Sequence, residues 1–137
     1  MKRYGNVSLV DLPLSPYDIV IVYKTEEGED IVRAQVKTAR RSMSFRGGSR
    51  GGVDRSYKSG VKTYIQSREK CDVVIGLEPH DDSYDMYFVP TILIEKLGTG
   101  SISLNRIQNL KNNYKMLDNC KNRRFVIRKA KEYGIMR

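Results

Sequence analysis

The sequence has no tryptophan, one histidine (His80) and only two cysteines, Cys71 and Cys120. Two distant thiols and one imidazole cannot assemble the usual four-ligand Cys/His zinc site. Long apolar runs are missing too. Ile19-Val20-Ile21-Val22 is among the longest, which argues against a transmembrane helix. Met1-Lys2-Arg3-Tyr4-Gly5 leads into no apolar segment of the secretory kind. No signal peptide is therefore expected, and a cytoplasmic, reducing location is. The basic stretches lack tryptophan and strong apolar anchors, which argues against a helix lying on a membrane.

Positive charge is what the sequence has in excess. Twenty-five Lys and Arg stand against sixteen Asp and Glu, a net charge of +9. Residues 38–70 carry nine basic and two acidic residues, and residues 101–137 carry ten and two. Between them, residues 71–100 carry one basic and six acidic residues, while residues 1–37 are near balance. Two basic blocks flanking an acidic middle suit a polyanionic partner, nucleic acid first. The simpler alternative is a basic surface that serves solubility. At 137 residues, 39% hydrophobic, the chain is expected to be one globular domain with its own core.

Tyr17–Tyr23 is β-branched and nearly all apolar apart from Asp18, so a buried strand is expected. Glu26-Glu27-Gly28-Glu29-Asp30 reads as a turn, and Ile31–Thr38 as a second strand antiparallel to the first. Residues 39–56 hold two Arg-Gly-Gly triplets and five arginines, and read as a flexible basic loop. A short helix is expected over 57–69, then strands over Asp72–Leu77 and Tyr84–Val89. Ser103 is placed to cap a helix with Leu104, Ile107, Leu110, Tyr114 and Leu117 on one stripe. A last helix is expected from about Asn122 to Tyr133, closed by Gly134. Strands first and helices last predict an α+β fold with a four-stranded mixed sheet flanked by helices.

Three polar residues lie where a core would prefer apolar ones. Asp18 interrupts its strand, and Gln35 and Lys37 share one face of the next. Pairing the two strands brings these three side chains to one edge of the sheet. A carboxylate, an amide oxygen and the Val36 carbonyl are the hard oxygen donors that Mg²⁺ prefers. An adjacent ammonium can position a water and offset charge developing on a phosphate. The alternative is a Lys–Asp pair on a solvated strand face.

Pro16-Tyr17-Asp18 followed by Gln35-Val36-Lys37-Thr38-Ala39-Arg40 resembles the PD-(D/E)XK nuclease superfamily. It is most similar to the branch in which glutamine replaces the acidic residue of the ExK element, which includes the homing endonuclease of a cyanobacterial group I intron. Tyr64, Cys71-Asp72-Val73-Val74-Ile75-Gly76, Tyr87-Phe88-Val89-Pro90, Ser101-Ile102-Ser103-Leu104 and Asn112-Asn113 extend the resemblance over about residues 13–120. It implies a restriction-endonuclease-like core and Mg²⁺-dependent, or Mn²⁺-dependent, hydrolysis of DNA. Asp18 would be the metal-ligand aspartate, Gln35 would stand at the second ligand position, and Lys37 would be the catalytic lysine. The superfamily core usually opens with a helix. Only seventeen residues precede Asp18 here, two of them proline, so that helix is expected to be absent, shortened or supplied by a partner chain.

Arg40, Arg41, Arg46, Arg50, Arg55 and Lys58 are candidate DNA-phosphate contacts after the catalytic strand. Arg123, Arg124 and Arg128, with Lys121, Lys129 and Lys131 beside them, are candidates for a second surface. Tyr64 is expected to pack at a rim, His80 to lie on the surface, Asp72 to cap its strand or act as a late acidic ligand, and Asp81, Asp82 and Asp85 to form a solvated turn. The expected function is a metal-dependent DNA endonuclease acting as a homodimer, because cutting both strands of a duplex takes two sites. The alternatives are a Holliday junction resolvase of the same fold, or a nucleic-acid-binding protein without catalysis.

Overall fold

The computed structural model describes residues 6–9, 17–47 and 64–137. Its centre is the hairpin of β2 (Ile19–Thr25) and β3 (Gly28–Thr38), antiparallel with Thr25 opposite Gly28. The turn closes tightly because Gly28 takes φ +134°, a conformation that side chains disfavour. β1 (Asn6–Leu9) pairs antiparallel with β2, and β7 (Val73–Pro79) runs parallel to β3. β8 (Tyr84–Pro90) returns antiparallel to β7. The result is a five-stranded mixed sheet of order β1-β2-β3-β7-β8. Four of these strands are the expected ones. β1 adds a fifth at the edge, where Asn-Val-Ser-Leu is too short to show a pattern and gains its structure by pairing. This strand, not a helix, stands ahead of Asp18 among the described residues.

The parallel crossover from β3 to β7 departs from expectation. Residues 42–47 are not loop: β4 (Ser42–Ser44) pairs with β9 (Ser101–Ser103), and β5 (Arg46–Gly47) pairs with β6 (Tyr64–Ile65). The helix expected over 57–69 is contradicted where it is described, since Tyr64 and Ile65 are extended. Long-range pairing overrides local pattern here. The rest of the basic stretch lies outside the described residues.

The alternation of the strands divides the core between two sheet faces. On one face Ile21, Val32, Ala34, Val73, Ile75 and Phe88 pack with Leu117 and Cys120. α2 (Tyr114–Asp118) covers this side, with the Phe88 and Tyr114 rings 5.2 Å apart. On the other face Val74, Tyr87 and Val89 pack with Ala39, Met43 and Phe45 of the crossover. α1 (Thr91–Leu97) and α3 (Arg123–Glu132) complete that core through Leu93, Ile94, Val126 and Ala130. Each large apolar side chain fully buried there contributes about 1.5–3 kcal/mol. Among the described residues, no helix is long and apolar enough to cross a membrane.

The helical tail is partly as expected. α3 starts at Asn122, whose side-chain oxygen accepts from the Phe125 N–H at 3.2 Å, and Gly134 follows it at φ +70°. Ser103 does cap, accepting from the Asn105 N–H at 3.3 Å. The helix it starts is a 3-10 helix, Leu104–Leu110, that breaks at Ile107 and does not continue into α2. Lys111 bridges instead to Tyr87, and the Asn112 side-chain oxygen accepts from the Met86 N–H at 2.9 Å. The expected stripe is still inward: Leu104, Ile107, Leu110 and Leu117 are all buried. α1 is not expected from the sequence. Thr91 through Ile94 are all buried, so the polar residues of this short helix are confined to its last turn and no helical period shows.

Candidate active site

Asp18 immediately precedes β2, and the register that sets Ile19 opposite Ala34 sets Asp18 beside Gln35. Its N–H donates to the Ala34 carbonyl at 2.8 Å, and its Oδ2 accepts from the Val36 N–H at 2.8 Å. Ala34 and Val36 turn their side chains into the opposite core, so Gln35 and Lys37 share Asp18's side of the sheet. The three expected residues therefore come together at the C-terminal end of β3. The Val36 peptide group faces β2, which directs its carbonyl toward the Asp18 side as well. Asp18 is exposed and Lys37 half-buried. Among the described residues no ion pair joins Lys37 to Asp18, so a simple Lys–Asp pair is not what holds this edge. Gly76 lies opposite Lys37 in β7, and a Cβ there would stand 2.8 Å from the Met43 sulfur. The missing side chain lets Met43 pack against the sheet at this position.

Gln35 has a partner that local pattern does not reveal. The Gln66 Nε2 donates to the Gln35 Oε1, and Gln66 is 1% exposed. The Gln66 Oε1 accepts from the Cys71 thiol at 3.4 Å, and its backbone N–H donates to Phe45 at 2.8 Å. Burial, then the nearby Asp72 charge, pushes the Cys71 thiol up to about 12, so it stays protonated and can donate. Gly47 seals this arrangement. A Cβ at 47 would lie 2.8 Å from the Gln66 Nε2 and 2.8 Å from the Tyr64 ring. The first Arg-Gly-Gly triplet thus has a packing reason for one of its glycines.

Arg33 lies on the same face, two residues before Gln35. The Asp72 Oδ2 accepts from its backbone N–H at 2.8 Å and its Nε at 3.2 Å, and Oδ1 accepts from its Nη2 at 3.1 Å. Both Asp72 oxygens are thereby committed to Arg33. Asp72 is an ion-pair partner that ties β3 to the start of β7.

The fold is similar to that of a bacterial homing endonuclease, I-Ssp6803I. The match has a TM-score of 0.58 at 13% sequence identity and covers 82% of this chain and 78% of that one. No protein-family model matches the chain, and no curated protein matches it in sequence.

The basic candidates divide by partner. Arg40 and Arg41 are exposed just after β3, and exposed Arg46 lies against Gly100. Arg50, Arg55 and Lys58 lie outside the described residues. Arg123, Arg124 and Arg128 are exposed on α3 and, with Ile127 and Lys131, line an open groove of about 520 Å³. Their spacing puts all five on adjoining turns of one helix face. Lys121 is a structural cation: its Nζ donates to Asp30 and to the Ile31 carbonyl, each at 2.7 Å. Lys129 pairs with Glu132 at 3.1 Å.

The acidic turn is more ordered than expected. His80 Nε2 lies 2.7 Å from Asp85 and 3.8 Å from Glu78. Asp85 also accepts from Asn112 at 2.9 Å and faces Lys111 at 3.9 Å, while Tyr87 donates to Glu78 at 3.0 Å. Ligand atoms of Glu78, His80 and Asp85 lie within 4.8 Å of one another. Their mutual bonds already account for the arrangement, which pins the end of the 3-10 helix to the β7–β8 hairpin. The Asn112 and His80 hydrogen bonds, in that order, hold the Asp85 carboxyl below the ordinary carboxylate value.

Proposed function

We propose that the chain is a divalent-metal-dependent DNA endonuclease of the PD-(D/E)XK type, working through Asp18, Gln35 and Lys37. The observation that carries this reading is the Val36 N–H bond to Asp18, which fixes one carboxylate between an amide and an ammonium on one sheet face. The likeness to a homing endonuclease fold supports it.

The donor set suits a hard cation. Asp18 Oδ1 makes no hydrogen bond among the described residues, and Gln35 Oε1 and the Val36 carbonyl add neutral oxygens. Asp18, Gln35 and Val36 would hold Mg²⁺ or Mn²⁺, which when bound lowers the pKa of a water and neutralises phosphate charge. Lys37 carries the chain's own share of the chemistry. Its ammonium holds the attacking water and donates to a phosphate oxygen as charge builds there. A new P–O bond forms to the water oxygen as that water gives up a proton to solvent, and the bond to the leaving sugar oxygen breaks as that oxygen takes a proton from solvent. The exposed arginines Arg40, Arg41 and Arg46, and the α3 groove, bind the phosphate backbone. A homodimer supplies the second site needed to cut a duplex.

A second reading keeps only the binding. Among the described residues the site has one carboxylate, and Gln35 already accepts from Gln66, which favours a DNA-binding protein that no longer cuts. Nicking of supercoiled plasmid by wild type and Lys37→Ala, in Mg²⁺, Mn²⁺ or EDTA, separates the two. Metal-dependent nicking lost in the variant is the expected result. Salt-sensitive binding without nicking of plasmid, linear duplex or four-way junction would establish the binding protein. Cutting confined to the four-way junction would identify a resolvase.

A further inference from the structure

We propose that Gln66 is the positioning residue of this site, fixing which atom of Gln35 faces inward. The inference rests on the nuclease reading for its catalytic consequence, but the geometry stands apart from it. A thiol S–H is a donor toward oxygen, so the contact with Cys71 turns the Gln66 carbonyl oxygen to that side. The Gln66 NH₂ must then face Gln35. An NH₂ group has no lone pair to give, so Gln35 must answer with its oxygen, and Oε1 is the atom found there. Two buried residues thus orient a half-buried amide through a chain of hydrogen bonds, and the direction that sets S–H toward oxygen is favoured over the reverse, in which a weakly accepting sulfur would face the NH₂.

This matters because a glutamine amide has two unlike ends. Free to rotate, it would present NH₂ as readily as oxygen to a cation. With one lone pair of Oε1 taken by Gln66, the other lone pair remains for a cation, and the NH₂ for a phosphate oxygen or water. The packing around Gln66 holds the amide to that state. It is buried, its N–H is anchored to Phe45, and Gly47 leaves the space beside its NH₂ that a Cβ would fill. Residues that orient a metal-binding side chain in this way typically change activity or metal affinity about 10–100-fold when removed.

The test is a double-mutant cycle in the full chain, on plasmid nicking with Mg²⁺, using Gln66→Met, Gln35→Ala and the pair. Methionine keeps the length and apolar volume but donates nothing. Gln66→Met should slow nicking about 10–100-fold with DNA affinity in EDTA unchanged. In the Gln35→Ala background it should add no further loss, because its only route to the reaction is gone. Gly47→Ala, which presses on the same NH₂ from the other side, should behave likewise. Multiplicative losses, with Gln66→Met equally harmful whether or not Gln35 is present, would overturn the inference and leave Gln66 a packing residue. An NMR arm decides the geometry without cleavage. Slow solvent exchange of the Gln66 side-chain amide, with NOEs from it to the Gln35 Hγ protons, is expected in wild type; fast exchange without those NOEs would reject it. A wild type that nicks nothing would sink the nuclease reading alone, and the NMR result would still stand for or against the Gln66 contact.

Discussion

The Asp18 carboxylate accepts from the Val36 N–H at 2.8 Å, across the open end of the first hairpin. Val36 sends its own side chain to the far core, so the carboxylate is held between the side chains that flank it in sequence, Gln35 and Lys37. One backbone bond holds Asp18, just ahead of β2, beside two polar residues of β3.

Asn at position 18 can keep that bond, since an amide oxygen also accepts. It removes only the charge. Asp18→Asn should therefore leave unfolding free energy within about 1 kcal/mol of wild type and lower metal-dependent nicking on the order of 10²–10³-fold. Urea unfolding and plasmid nicking on the same preparation measure both.

Asp72 holds Arg33 by its backbone N–H and its guanidinium together, with side chains 11% and 27% exposed. Asp72→Ala leaves the Arg33 cation without its counter-charge, held by the Arg68 and Glu69 carbonyls, and leaves an unbonded peptide N–H. The expected loss is about 2 kcal/mol in urea unfolding. Asp72→Asn, which can still accept one of these bonds, should lose less.

The α3 face of Arg123, Arg124, Arg128 and Lys131 predicts a salt signature. Arg123→Gln with Arg128→Gln should weaken duplex binding at every sequence. The slope of log affinity against log salt should fall by about 0.9 for each phosphate that is no longer neutralised. Fluorescence anisotropy between low and moderate salt reads it. An unchanged slope would remove this face from the DNA surface.

Both thiols are buried and pushed up to about 12, chiefly by burial. They should resist a thiol reagent at pH 8 in the native protein and react fully in urea. The linkage has a definite sign. Above the ordinary thiol value of 9.0 the unfolded chain ionises while the folded chain does not. Each thiol's contribution is thus fully present below that value and is lost as pH rises toward the folded one. Cys120→Ala should flatten this alkaline fall in the urea midpoint.

Much of the site is legible in the sequence because a strand has a period of two. Gln35 and Lys37 can be placed on one face from their spacing, and the short turn at Glu26-Glu27 brings Asp18 to them. The same period sorts the apolar residues of β2, β3, β7 and β8. Gln66 is not legible. Nothing around it alternates, and its meaning comes from Gln35 and Cys71, 31 and five residues away in the chain. The role of Asp72 is hidden for the same reason: its partner Arg33 is 39 residues distant.

Local periodicity and turn chemistry, carried entirely in the sequence, were enough to determine the hairpin, the sheet's main strands, the caps of the last helix and the excess of basic charge. Which segments of the crossover became β4, β5 and β6, where the Leu104–Leu117 stripe broke, and how Gln35 was oriented were decided only in three dimensions. Each depends on a hydrogen-bonding partner supplied by a distant strand or loop, and a donor gains that partner only when the chain has closed around it.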